Sequence, residues 1–137
     1  MIRFFSITSF RNRLEALLSV KRGVYAGVKR EIAREFLGKN IDHIRQNRDM
    51  ILMLDTTTII KLRLPDKRMR LSKKDGFRLI YMVSREEEIV TFLDIYPKNG
   101  PSQQLDIQSS TLLELIKEFI KEFDGNEVQE ENLSTFL

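Results

Sequence analysis

Two hydrophobic periodicities divide this chain. Met1–Ile7 is rich in Ile and Phe and predicts a short strand. Ser9 suits an N-cap, and Phe10, Leu14, Leu17 and Leu18 then recur on one helical face. Lys21-Arg22-Gly23 ends that helix. Val28, Ile32 and Phe36 repeat every four residues, so a second helix is expected over Val24–Leu37, with Gly38 at its C′ position. The pair predicts a helical hairpin. Ile41, Ile44, Ile51 and Leu52 fit a further helical face, and a helix to about Arg48 is expected. The run Met50–Leu54 fits either a helix or the start of a strand.

The period then changes to two. Ile60, Leu62 and Leu64 alternate with Ile59, Lys61 and Arg63 until Pro65 stops the strand. A polar, basic connection covers 66–75. Phe77, Leu79, Tyr81 and Val83 alternate with Arg78, Ile80 and Met82. A turn at 85–88 leads to a third strand. There Ile89, Thr91, Leu93 and Ile95 alternate with Val90, Phe92, Asp94, Tyr96 and Lys98. Asn99-Gly100-Pro101 ends it. Thr111 and Glu114 have the spacing of a capping box. It precedes an apolar stripe of Leu112, Leu115, Ile116, Phe119, Ile120 and Phe123. Residues 126–137 are acidic and aperiodic, and are expected to be a mobile tail behind a single domain over 1–125.

Three consecutive strands with short links pair most simply as an antiparallel meander. One face packs on helices and the other stays wet. The packed face is expected to carry Ile60, Leu62, Leu64, Phe77, Leu79, Tyr81, Val83, Thr91, Leu93 and Ile95. On the wet face the end of the first strand meets the start of the second. The start of the second meets the end of the third. Lys61, Arg63, Arg78, Tyr96 and Lys98 therefore converge at one end. Ile59, Ile80, Met82, Val90 and Phe92 lie at the other, an apolar half that needs cover.

Charge sharpens this picture. Residues 61–78 hold eight Lys/Arg against two Asp/Glu, whereas 106–137 hold two against eight. A basic block inside a folded domain suits a phosphate-bearing partner, although such runs are more often plain solvated surface. Clustered cations repel one another, which favours a ligand for the convergent end. The absence of cysteine excludes disulfides and thiolate metal sites. No Gly-rich phosphate loop occurs, and Asp42-His43 has no partner ligands at a metal-site spacing. No metal or cofactor is expected. His43, in the helical region, reads as structural or incidental. Charged residues interrupt the first twenty positions, and no apolar run is long enough to span a bilayer. A cytoplasmic protein without membrane contact is expected.

Three strings resemble the RelE/ParE superfamily of toxins from type II toxin–antitoxin pairs, in its RelE/HigB-like branch. They are Ile60-Lys61-Leu62-Arg63-Leu64-Pro65, then Lys73-Lys74-Asp75-Gly76-Phe77-Arg78-Leu79-Ile80-Tyr81, then Phe92-Leu93-Asp94-Ile95-Tyr96-Pro97-Lys98. Their order and spacing carry the likeness. It implies an α+β fold: an N-terminal strand, a helical hairpin, an antiparallel meander and a C-terminal helix. It also implies an mRNA endoribonuclease acting on the ribosome and held in check by a cognate antitoxin. Lys61, Arg78 and Lys98 match basic family positions and become the candidate catalytic residues. Arg63, Lys73, Lys74 and Tyr96 are candidate RNA-binding residues.

Metal-free cleavage of RNA lets a 2′-hydroxyl attack the neighbouring phosphate. It needs a base, a stabiliser of the phosphorane and an acid for the leaving 5′-oxygen. A guanidinium stays protonated, so Arg78 fits a phosphate clamp and not the base. Lys61 or Lys98 are candidates for the base, Lys98 also for the acid. Tyr96 fits a proton donor or a stacking platform. Two other readings stay open: a non-catalytic gyrase inhibitor of the ParE kind, or a degenerate binding domain on the same fold.

Overall fold

A computed structural model describes residues 1–46, 50–54 and 56–137. Strand β1 (Arg3–Ser6) leads into helix α1 (Thr8–Leu18), and α2 (Val28–Phe36) and α3 (Ile41–Arg45) follow. Strands β2 (Met50–Leu54), β3 (Thr57–Leu64), β4 (Phe77–Ser84) and β5 (Ile89–Pro97) come next. Helix α4 (Ser109–Asp124), a short strand β6 (Gln129–Glu131) and a 3-10 turn (Leu133–Phe136) complete the chain. The sheet is six-stranded in the order β2-β3-β4-β5-β1-β6. Strand β1 runs parallel to β5, and the other pairs are antiparallel. The α+β class and the expected meander are both present. The Met50–Leu54 run resolves as a strand, and the expected helix end near Arg48 lies outside the described residues. No helix among the described residues is long and apolar enough to cross a membrane.

One face of the sheet packs on α1 and α2 through aromatic rings. Phe36 meets Tyr81 at 5.0 Å and Phe92 at 5.4 Å, both edge-on, and Phe10 stacks on Phe92 at 5.2 Å. Burying one such side chain stabilises the fold by about 1.5–3 kcal/mol. Phe92 was expected on the opposite face. A register shift between Ile80 and Tyr81 explains the difference. Ile80 pairs with Asp94, but Tyr81 pairs with Phe92. Leu93 is the extra residue of a β-bulge, which turns Val90 and Phe92 to the helices and Thr91 away from them. The expected packed-face position of Thr91 and the wet-face positions of Val90 and Phe92 are thus corrected. The pattern from Asp94 onwards holds.

Helix α4 covers part of the second face. Leu112 and Leu115 are buried, while Ile120 and Phe123 remain 54% exposed. The helix begins at Ser109, and its N-cap Gln108 makes no side-chain cap, so the Thr111–Glu114 box does not form. The helix instead caps its neighbour. At the start of α1, the Thr8 N–H donates to Glu122 Oε1 at 2.9 Å and the Ser9 N–H to Glu118 Oε2 at 2.8 Å. Ser9 is thus inside α1, and carboxylates from α4 replace the expected local cap.

Residues 126–137 form no free tail. Strand β6 pairs with β1, placing Phe5 opposite Glu130. Glu131 accepts a hydrogen bond from Ser6 Oγ at 2.8 Å, and Arg3 bridges Glu130 at 2.9 Å. Leu133 and Phe136 are buried, and Lys29 lies 5.0 Å over the Phe136 ring. These two apolar anchors, and not the acidic residues around them, decide that the segment is seated.

Candidate nucleic-acid interface

The register brings the expected cations together. Arg63 pairs with Arg78, and Arg78 with Tyr96, in one row across β3, β4 and β5. Lys61, Ile80 and Asp94 form the next row. The Lys98 N–H donates to the Gly76 carbonyl at 2.8 Å, which closes this end of the sheet. Gly76 is required by space: a Cβ there would stand 2.1 Å from the Leu64 carbonyl oxygen. The Gly-Phe-Arg string therefore combines a close backbone approach with a placed guanidinium.

That guanidinium faces inward. Arg78 is only 7% exposed. Its Nη1 donates to the carbonyls of Lys73 (2.9 Å) and Phe77 (3.1 Å), and its Nη2 donates to that of Lys74 (2.8 Å). Arg78 thereby shapes the basic loop, which presents Lys73 and Lys74 to solvent. The same loop is tied to the helical layer. The Lys67 N–H donates to Glu31 Oε2 at 2.7 Å, and Arg68 Nη1 to the Gly23 carbonyl at 2.7 Å. Lys67, Arg68, Arg70, Lys73 and Lys74 are all exposed, so the loop is one continuous electropositive surface beside the sheet.

Tyr96 is fully buried and its hydroxyl donates to Asp106 Oδ1 at 3.3 Å. Burial pushes this hydroxyl far above its ordinary range, and the Asp106 charge pushes it further. Tyr96 is therefore a standing hydrogen-bond donor, and its buried ring offers no face for a base to stack on. Lys61 reaches the same Asp106 oxygen at 3.1 Å. Lys98, half-buried, gives its ammonium to the Leu105 carbonyl. Arg63 is exposed at the rim.

Asp106 was not expected here. It lies in the polar connection after β5, where no periodicity or motif marks it. The Ile107 N–H at 2.8 Å and then the Lys61 ammonium hold its carboxyl below the usual range. Asp94 is a second buried acid in the neighbouring row. Burial pushes its carboxyl up, opposed by Arg13 at 3.8 Å and by the Ile95 N–H at 2.9 Å. Alternation did place Asp94 on this face, but its partner Arg13 comes from α1. His43 lies on exposed α3, whose Ile44 carbonyl accepts from Tyr81 on the helix-covered face. That is the opposite side of the sheet from the cations. Among the described residues, no three His, Cys, Asp or Glu side chains are grouped to hold a metal ion.

The arrangement gathers three donors, Lys61, Tyr96 and Lys98, at one end of the sheet, where they meet Asp106 and the Leu105 carbonyl beside a basic loop. Such a surface can neutralise and orient phosphate oxygens. Neither a scan against protein-family models nor a comparison with curated protein sequences finds a match to this chain.

Proposed function

We propose that this chain is the toxin of a toxin–antitoxin pair, and that it binds mRNA on the ribosome and cleaves it without a metal. The supporting observation is the convergence of Lys61, Arg63, Arg78, Tyr96 and Lys98 at one end of one sheet face. In this reading Lys61 and Lys98 contact the scissile phosphate: one, as the free amine, takes the 2′-hydroxyl proton as that oxygen bonds to phosphorus, and the other, as ammonium, protonates the 5′-oxygen as its bond to phosphorus breaks. Tyr96 donates to a phosphate oxygen. Arg78 acts through the loop it shapes, by setting Lys73 and Lys74 against the RNA backbone. The partner that restrains the toxin is a cognate antitoxin encoded beside it.

Inducing the chain in cells tests this directly. Growth arrest with cleaved transcripts supports the reading, and intact mRNA with continuing translation defeats it. Co-purification with the product of a small adjacent gene tests the antitoxin.

One observation favours a second reading. The guanidinium best suited to clamp a phosphorane donates to three backbone carbonyls instead. A non-catalytic binder on this fold, directed at gyrase or another macromolecule, needs no free Arg78. DNA-damage signalling on induction without mRNA cleavage would support it.

A further inference from the structure

Two adjacent residues occupy the donors of the basic end. Asp106 Oδ1 accepts from both Lys61 Nζ and Tyr96 Oη, and the Leu105 carbonyl accepts from Lys98 Nζ. A phosphate diester offers the same acceptors: one charged oxygen shared between donors and a second oxygen beside it. The segment 105–106 thus stands in the cluster as an anion the chain supplies itself.

The way this segment is held differs from the residues before it. Residues 99–104 are anchored independently of the cations. Tyr25 Oη donates to the Asn99 carbonyl at 2.7 Å and accepts from the Ser102 N–H at 3.0 Å. The Gln104 N–H donates to the Pro97 carbonyl at 3.0 Å, and Arg13 Nη1 donates to Gln104 Oε1 at 3.0 Å. Beyond Gln104 the apolar anchoring thins out. Leu105 is 87% exposed, Asp106 is exposed, and Ile107 alone in this stretch packs against the core. Residues 105 and 106 are held by the cations and hydroxyl they cover and by two local contacts, Gln104 Nε2 donating to the Asp106 carbonyl at 3.3 Å and the Ile107 N–H to Asp106 Oδ1 at 2.8 Å. Exposed ion pairs of this kind are weak, so a polyanion can displace them.

We propose that residues 105–106 are an intramolecular latch, with the Asp106 carboxylate occupying the phosphate position, so that RNA binds only by displacing it. This rests on the RNA-binding reading above and adds a regulatory step to it. Binding then exchanges one anion for another at Lys61 and Tyr96. A partner that draws the 105–108 segment outward would raise RNA affinity, and one that pins it would lower affinity.

The test is a titration of the full chain with a fluorescently labelled single-stranded RNA oligonucleotide at several salt concentrations. The variants are Asp106→Asn, Lys61→Ala, their double mutant, and Asp75→Asn as a control of equal charge change on the exposed loop. The latch predicts that Asp106→Asn tightens binding about three- to tenfold, the effect of losing one or two competing surface contacts. It steepens the salt dependence by about 0.7 in log–log slope, because neutralising a phosphate with Lys61 then releases an RNA-condensed cation with no freed carboxylate to take one up. Asp75→Asn gives a smaller gain, and in the Lys61→Ala background the Asp106 effect shrinks. Equal gains from Asp75→Asn and Asp106→Asn would reduce the effect to net charge and overturn the latch. Weaker binding by Asp106→Asn would also overturn it, making Asp106 a positioning residue for Lys61. In both of those outcomes the wild type still binds RNA, and the RNA-binding reading stands. No binding by any of the proteins would overturn both.

Discussion

Asp106 and Lys61 meet at 3.1 Å across 45 residues of sequence, one from a loop and the other from a sheet strand. The contact changes the meaning of the cation cluster. Four basic side chains gathered without an anion would be costly; with Asp106 among them the cluster is partly neutralised in cis. An anionic ligand of Lys61 or the Tyr96 hydroxyl competes with that carboxylate.

Arg78 is expected to matter more for stability than for contact with a ligand. Its guanidinium satisfies three carbonyls, and hydrogen bonds from a charged group contribute about 1.5–3 kcal/mol. Arg78→Ala should lower the urea unfolding free energy by about 2–4 kcal/mol, while Lys98→Ala should change it by less than about 1 kcal/mol. If Arg78→Ala abolishes activity at unchanged stability, the arginine contacts substrate and the loop-shaping role is wrong.

Gly76 should not tolerate a methyl group. A Cβ at 2.1 Å from the Leu64 oxygen forces β3 and β4 apart at the cation end. Gly76→Ala is expected to cost about 1–3 kcal/mol and to weaken RNA binding through the displaced loop. Thermal unfolding and the RNA titration together check this. An unchanged Tm would contradict the packing described here.

Asp94 sets a pH dependence. Burial raises its carboxyl in the fold, so the folded state holds the proton more tightly than the unfolded chain. That contribution is present below the ordinary carboxylate range and is lost as pH rises through the raised value. Asp94→Asn should therefore match wild type below about pH 3 and become the more stable protein towards about pH 7. Thermal unfolding at a series of pH values gives the comparison. A variant less stable than wild type at neutral pH would mean that the Arg13 pairing outweighs the desolvation.

The C-terminal segment should act on stability and leave RNA affinity alone. Strand β6 lies on the β1 edge, several strands away from Lys61 on β3. Leu133 is buried in that segment, so Leu133→Ala should cost about 2–5 kcal/mol. The variant, where folded, should bind RNA as the wild type does. Altered affinity at unchanged fold would mean that this acidic stretch shields the cations.

Much of this was legible because alternation carries register. Once Lys61, Arg78 and Tyr96 share a face parity on adjoining antiparallel strands, their meeting follows. The bulge at Leu93 was hidden for a physical reason: Val90, Phe92 and Leu93 are all apolar, so either face suits them. The 126–137 segment is illegible from composition because composition averages over position. Two apolar residues, Leu133 and Phe136, suffice to seat it on the helical layer. Asp106 was illegible because a loop residue's partners are set by tertiary structure. The polar run around it looks like ordinary solvated connection.

The most direct test of the central claim is to map transcript 5′ ends after brief induction of the chain in cells, beside a Lys61→Ala/Lys98→Ala variant. The account predicts new ends within translated reading frames for wild type, and their loss in the double variant at equal protein level. Growth arrest without new transcript ends, or the same ends from both proteins, would contradict it.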